Sequence, residues 1–181
     1  ALAAIAVSLA MTATAYAQWT VTSLHPAGAT ESKALAADGG QQAGYAVVGG
    51  VTRASLWNGT ASSRVDLHPA GAAASSAHAL SGGQQAGRAF VNGSYRACMW
   101  SGIAASWVNL NPALAAQSGA YAIGGGVQGG FVEVNLVAHA SVWSGNSASW
   151  IDLNPPGATG SHVLAASGEQ QAGHATVRAV P

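Results

Sequence analysis

The stretch LHPAGATESKALAADGGQQAGYAVVGGVTRASLW, residues 24–57, decides the architecture, because the chain writes it again. Residues 67–100 and 110–143 repeat it without a gap, and a fourth copy opens at Leu153. Corresponding residues lie 43 positions apart: Trp57, Trp100 and Trp143 keep that step, as do Gly44, Gly87, Gly130 and Gly173. A regular period of this size marks a repeat architecture and outranks local propensity.

Each copy divides into four short apolar or alternating runs. In the first copy these are residues 32–37, 42–48, 53–57 and 63–67. They are separated by Asp38-Gly39-Gly40, Gly49-Gly50 and Asn58-Gly59, pairs that supply the positive backbone angles of tight hairpins. The linker between copies, His-Pro-Ala-Gly-Ala at residues 25–29 and 68–72, belongs between sheets, because proline donates no backbone hydrogen bond. Gly and Pro recur too often for a helix of three turns. Around Trp107 and Trp150 the alternation has period two. It sets Trp107 and Asn109, or Trp150 and Asp152, on one face, and the β-branched residue and Leu on the other.

Four strands in 43 residues is the size of one propeller blade. The expected fold is therefore all-β: a β-propeller-like array of four-stranded antiparallel blades, with the tryptophans packed between successive sheets. A solenoid is the competing architecture. The repeats run over residues 25–67, 68–110 and 111–153, with a partial copy at 154–181. Residues 18–24 align with the fourth strand of a repeat and are expected to complete the last blade, removing two raw edges. The strand equivalent to residues 53–57 has no counterpart in the last copy. The array is thus expected to be a section of a longer ring, a closed four-bladed ring with a defective blade being the alternative.

Residues 1–17, ALAAIAVSLAMTATAYA, form an apolar run ending in Ala15-Tyr16-Ala17. That small-x-small ending is the pattern of a truncated signal peptide and places the repeat domain, 18–181, outside the cell. The run is interrupted too early to serve as a stable membrane anchor.

Six basic and six acidic residues give zero net charge, and the charges are scattered. Nucleic acid, which wants clustered Lys and Arg, is excluded as a partner. So weakly charged a surface implies a tendency to self-associate. A single cysteine, Cys98, cannot form an internal disulfide and reads as a small buried side chain.

The run before each Trp, best seen in His139-Ala140-Ser141-Val142-Trp143, resembles the extracellular HAF-repeat family, named for a His-Ala-Phe motif leading into Leu-Trp. The upstream Gly40-Gln41-Gln42-Ala43-Gly44 and the downstream Asp66-Leu67 and Asp152-Leu153 fit the same pattern. The Phe is missing from every copy. The resemblance implies a secreted or cell-surface bacterial protein of propeller-like repeats, with no established catalytic site.

Candidate sites are few. His25 and His68 precede Pro where later copies have Asn111 and Asn154, which points to hydrogen bonding at a turn rather than to a metal. Asp66 and Asp152 suggest paired carboxylates, but Asn109 stands between them in the series, so turn capping fits better. Repeated Gln41-Gln42, Gln84-Gln85 and Gln170-Gln171, with Val127-Gln128 as the exception, could tie blades together or line a sugar-binding rim. No nucleophile elbow and no phosphate loop is present. The functional expectation is a non-catalytic structural or binding scaffold without cofactor or metal, its ligand an unidentified protein or carbohydrate. The alternatives are a carbohydrate-active enzyme and a sugar-binding propeller.

Overall fold

The computed structural model of the protein describes residues 19–113 and 115–178, and the segment read as a signal peptide lies outside them. In the first repeat β1 (Ala29–Asp38), β2 (Gln41–Val48), β3 (Val51–Trp57) and the two-residue β4 (Val65–Asp66) pair in that order into one antiparallel sheet. The second repeat gives β5 (Ala74–Ser81), β6 (Gln84–Val91), β7 (Ser94–Trp100) and β8 (Val108–Asn109). The third gives β9 (Ser118–Gly124), β10 (Val127–Val134), β11 (Val137–Trp143) and β12 (Ile151–Asp152). The fourth contributes a hairpin, β13 (Ala158–Ser167) and β14 (Gln170–Val177). The all-β class and the antiparallel sheets are those expected.

The first two turns of each full repeat are two-residue hairpins with positive φ at both central positions, such as Asn92 at 52° and Gly93 at 81°. That twist matches the flanking strands. The third copy departs at Leu136, which adopts φ 65° where the others have Gly50 and Gly93. Leu136 is 89% exposed, so it gains little packing in return. A left-handed leucine costs ~1–2 kcal/mol, part of which glycine's greater freedom in the unfolded chain takes back. Leu136→Gly is therefore expected to stabilise the protein by about 0.5–1 kcal/mol in denaturant unfolding. A lower midpoint would contradict the strain.

The third separator differs from expectation. Asn58-Gly59 opens no hairpin; a single 3-10 turn, Ala61–Ser63, intervenes before β4, with equivalents at Ala104–Ser106 and Ser147–Ser149. Ser63 organises it, its hydroxyl accepting Asn58 N–H at 2.8 Å and donating to Thr60 O at 2.7 Å. The fourth strand is accordingly only two residues long, and the chain leaves the sheet at Leu67. Val65, Val108 and Ile151 face solvent, whereas Leu67 and Leu110 are fully buried, so the β-branched residue and the Leu do not share one environment. Residues 19–24, expected as a strand, form none, and Trp19 stands in solvent. In the repeats a fourth strand pairs with a third, Leu56 with Val65 for example, and the fourth sheet has two strands among the described residues.

Successive sheets pack through the entering strand. β5 crosses the face of the first sheet, and β9 and β13 do the same on the second and third. At its start β5 receives the Ala54 N–H on Ser75 Oγ, 2.9 Å, and just past its end Gly82 N–H donates to Asp38 Oδ2, 2.9 Å. Between the first two sheets Ala43, Ala54, Leu56 and Leu67 meet Ala77, Leu80, Ala89, Cys98 and Trp100. Between the next two, Ala79, Ala86, Ala97, Met99 and Leu110 meet Ala120, Ile123, Val132 and Trp143. Alanine lets the backbones approach, and Trp100 and Trp143, both fully buried, supply the bulk at these two interfaces. The main packing contacts join each sheet only to the next.

The recurring glycines answer to a bulge. Leu35, His78, Tyr121 and Leu164 are each the extra residue of the first strand: Ala77 pairs with Gly87 and Ala79 with Ala86, leaving His78 unopposed. The bulge sets the Lys33, Ser76, Gly119 and His162 carbonyls against Gly44, Gly87, Gly130 and Gly173, where any Cβ would overlap them.

Candidate functional site

The fold itself uses most of the recurring polar groups. His68 Nε2 lies 2.9 Å from Ala72 O, and Nδ1 lies 2.8 Å from Ser75 Oγ. A carbonyl only accepts, so Nε2 carries the proton and Nδ1 accepts from the serine hydroxyl. Ser75 in turn takes the Ala54 N–H of the preceding sheet. In the third repeat Asn111 replaces the imidazole atom for atom: its amide donates to Ala115 O, its oxygen accepts from Ser118, and Ser118 takes the Ala97 N–H. Asn154, Ser161 and Ala140 carry the same relay onward. Burial lowers the His68 pKa, in keeping with a neutral ring.

Asp66 and Asp152 cap the turns that lead into the next repeat, accepting the N–H of His68 and Asn154, and Asn109 does so for Asn111. Their second oxygens face basic side chains: Asp66 Oδ2 pairs with Arg53 and Arg64, and Asp152 Oδ2 lies 2.7 Å from His139 Nδ1. In the three full repeats the glutamine at the second of the two positions clamps two turns. Gln85, fully buried, donates to Gly83 O and accepts the Gly102 N–H, as Gln42 and Gln128 do at their positions. Trp57, Trp100 and Trp143 are buried, and Trp150 Nε1 donates to Ser141 Oγ. At the matching place Cys98 is fully buried, its thiol pushed up by burial, which suits packing and not nucleophilic chemistry. Among the described residues no three His, Cys, Asp or Glu side chains come together as metal ligands.

What remains gathers in a cleft of about 270 Å³ between the first two sheets. One wall carries Glu31, Tyr45 and Thr52; Ser76, His78, Arg88 and Tyr95 complete it from the second sheet. Tyr45 donates its hydroxyl to Glu31 at 2.7 Å, and Lys33 lies 3.8 Å from the same carboxylate. The Arg88 guanidinium lies over the Tyr95 ring, 4.2 Å from its centre. Its Nε is buried with no hydrogen-bond partner. Position 88 is an aromatic ring in every other copy, namely Tyr45, Phe131 and His174, so Arg88 introduces a charge where the repeat has none. Beyond the cleft a row of rings continues across the sheets. His78 meets Tyr121 edge-on at 5.0 Å, and Tyr121, Phe131, His162 and His174 follow at 5.9, 4.9 and 5.0 Å.

Burial, with Arg88 adding to it, pushes His78 down to about 4. Its hydrogen bond to Ser76 Oγ is 2.9 Å. Because the folded pKa lies below the unfolded value of 6.5, the neutral ring contributes full stability above pH 6.5. That contribution, roughly 3 kcal/mol, is lost as pH falls through about 4. His78→Gln is expected to flatten the decline in stability between these pH values. An unchanged profile would refute the assignment.

No family model, curated protein or solved structure matches this chain. No recurring motif marks the cleft in the sequence. The signal available was Arg88 standing in a column of rings at one repeat position.

Proposed function

We propose that the chain is a secreted or cell-surface, non-catalytic module of propeller-like repeats of the HAF type, serving as a structural or binding scaffold. The observation that carries this reading is the use of the recurring polar groups. The His or Asn, Ser, Asp and Gln positions are bonded inside the fold, and the two aspartates sit in separate repeats, each engaged with its own turn. A hydrolase of the two-carboxylate kind needs its acids facing one another across a substrate. The packing of each sheet on the next through its entering strand supports stacked, propeller-like repeats, and the resemblance around His139 to Trp143 supports an extracellular setting.

The test is incubation of the purified protein with a panel of neutral and acidic polysaccharides, following reducing-end release and retention together. Retention without release is expected. Turnover that survives repurification would replace the scaffold with an enzyme.

A further inference from the structure

The scaffold reading leaves its ligand open, and the cleft between the first two sheets narrows the choice. We propose that this cleft binds one carboxylate-bearing sugar residue of an acidic saccharide, with Arg88 taking the carboxylate and the Tyr95 and Tyr45 walls flanking the ring. This inference rests on the binding half of the function proposed above.

Arg88 is the first reason. Arg53 and Arg64 are both ion-paired with Asp66, whereas no carboxylate of the described residues lies within ion-pair distance of Arg88. Among the described residues its charge is met by the face of the Tyr95 ring and by no anion, although the side chain lines the cleft. The guanidinium lies over the Tyr95 ring, 4.2 Å from its centre, a contact that orders the side chain before a ligand arrives. A planar fork fixed in this way matches a carboxylate, which it can hold with two parallel hydrogen bonds.

The rest of the lining says what the carboxylate is attached to. Tyrosine rings and the hydroxyls of Thr52 and Ser76 offer flat apolar faces beside hydrogen-bonding groups, the mixture a polyol ring presents in return. Glu31 stands on the opposite wall, tied to Tyr45 and Lys33. It can accept hydroxyl hydrogens but repels a second negative charge. The ligand is therefore charged at one end and neutral along its body, which disfavours sulfated polymers and nucleic acids. His78 is held neutral and adds no second cation. A volume near 270 Å³ is below the ~300–1,000 Å³ of sites for drug-sized ligands and fits a single ring.

The experiment is calorimetric titration of the purified protein with a glucuronate-containing oligosaccharide. The controls are its carboxyl-reduced neutral counterpart, a densely sulfated oligosaccharide and an acidic peptide. Binding of the uronide is expected, weakened at least tenfold by Arg88→Met and strengthened by Glu31→Gln, with circular dichroism confirming that both variants fold. Glu31 is exposed, so its variant keeps the test open even if Arg88→Met fails to fold. Equal binding of the neutral saccharide, preference for the sulfated one or the peptide, or indifference to both substitutions would overturn the proposal. Absence of uronide binding with retention on another polysaccharide would overturn this site and leave the scaffold intact; release of reducing ends would overturn the scaffold itself.

Discussion

Gly87→Ala is expected to be among the most damaging single-methyl changes in the protein, costing about 3 kcal/mol or more. A Cβ at Gly87 would overlap the Ser76 carbonyl, and Ala77 Cα stands 2.9 Å away. Neither neighbour is a side chain that can turn aside. Relief requires the bulge at His78 to flatten, which would shift Ser75 away from the Ala54 N–H that joins the two sheets. The comparison is Gly82→Ala. That glycine has φ 56° but open space around its Cβ position, so only the left-handed penalty of ~1 kcal/mol applies. Denaturant unfolding of the two variants separates crowding from backbone conformation. Equal losses would refute the close-approach explanation of the recurring glycines.

The second large effect is expected at Trp100. Its ring is fully buried between the first two sheets, against Leu56, Leu67 and Leu80 and a floor of alanines. Alanine side chains cannot collapse into the space it would leave, so Trp100→Ala should cost roughly 3–5 kcal/mol. His68→Asn should remain within about 1 kcal/mol of the parent, because Asn111 already makes the same three-part relay one repeat along. Hydrogen exchange at the Ala54 amide gives a local readout: it should quicken in the Trp100 variant and hold in the His68 variant. Comparable losses for the two would remove tryptophan packing from its central place.

The sequence made the sheets legible because a period of 43 is visible without any contact being known, and Gly-Gly and Asn-Gly mark hairpins by backbone angle alone. The exchange of His68 for Asn111 likewise predicted a turn hydrogen bond, since the two side chains share a donor and an acceptor at similar reach. Other features stayed hidden for physical reasons. A bulge leaves no residue type behind, so the recurrence of Gly87 marks a constrained position without revealing the Ser76 carbonyl that constrains it. Ser32, Ser75, Ser118 and Ser161 recur without exception, yet serine is so common that the column drew no notice. As a pair the glutamines have Val127-Gln128 as an exception, whereas the second position is Gln in every copy, and Gln42, Gln85 and Gln128 are the members that join two turns. The third turn was misjudged because Asn58-Gly59 suits both a hairpin and the start of a 3-10 turn, and Ser63 five residues on decides between them. The cleft needed three dimensions, because Glu31, His78 and Arg88 come from strands whose crossing no spacing reveals.

One feature of the packing reaches past this single chain. Every principal contact between sheets links a unit to its immediate neighbour and to no other. Removing or inserting one whole unit therefore recreates the same junction, with Ser, Trp and Gly arriving at their usual partners. A gene encoding such an array can lengthen or shorten by recombination between its own copies and still specify a chain that folds at every seam.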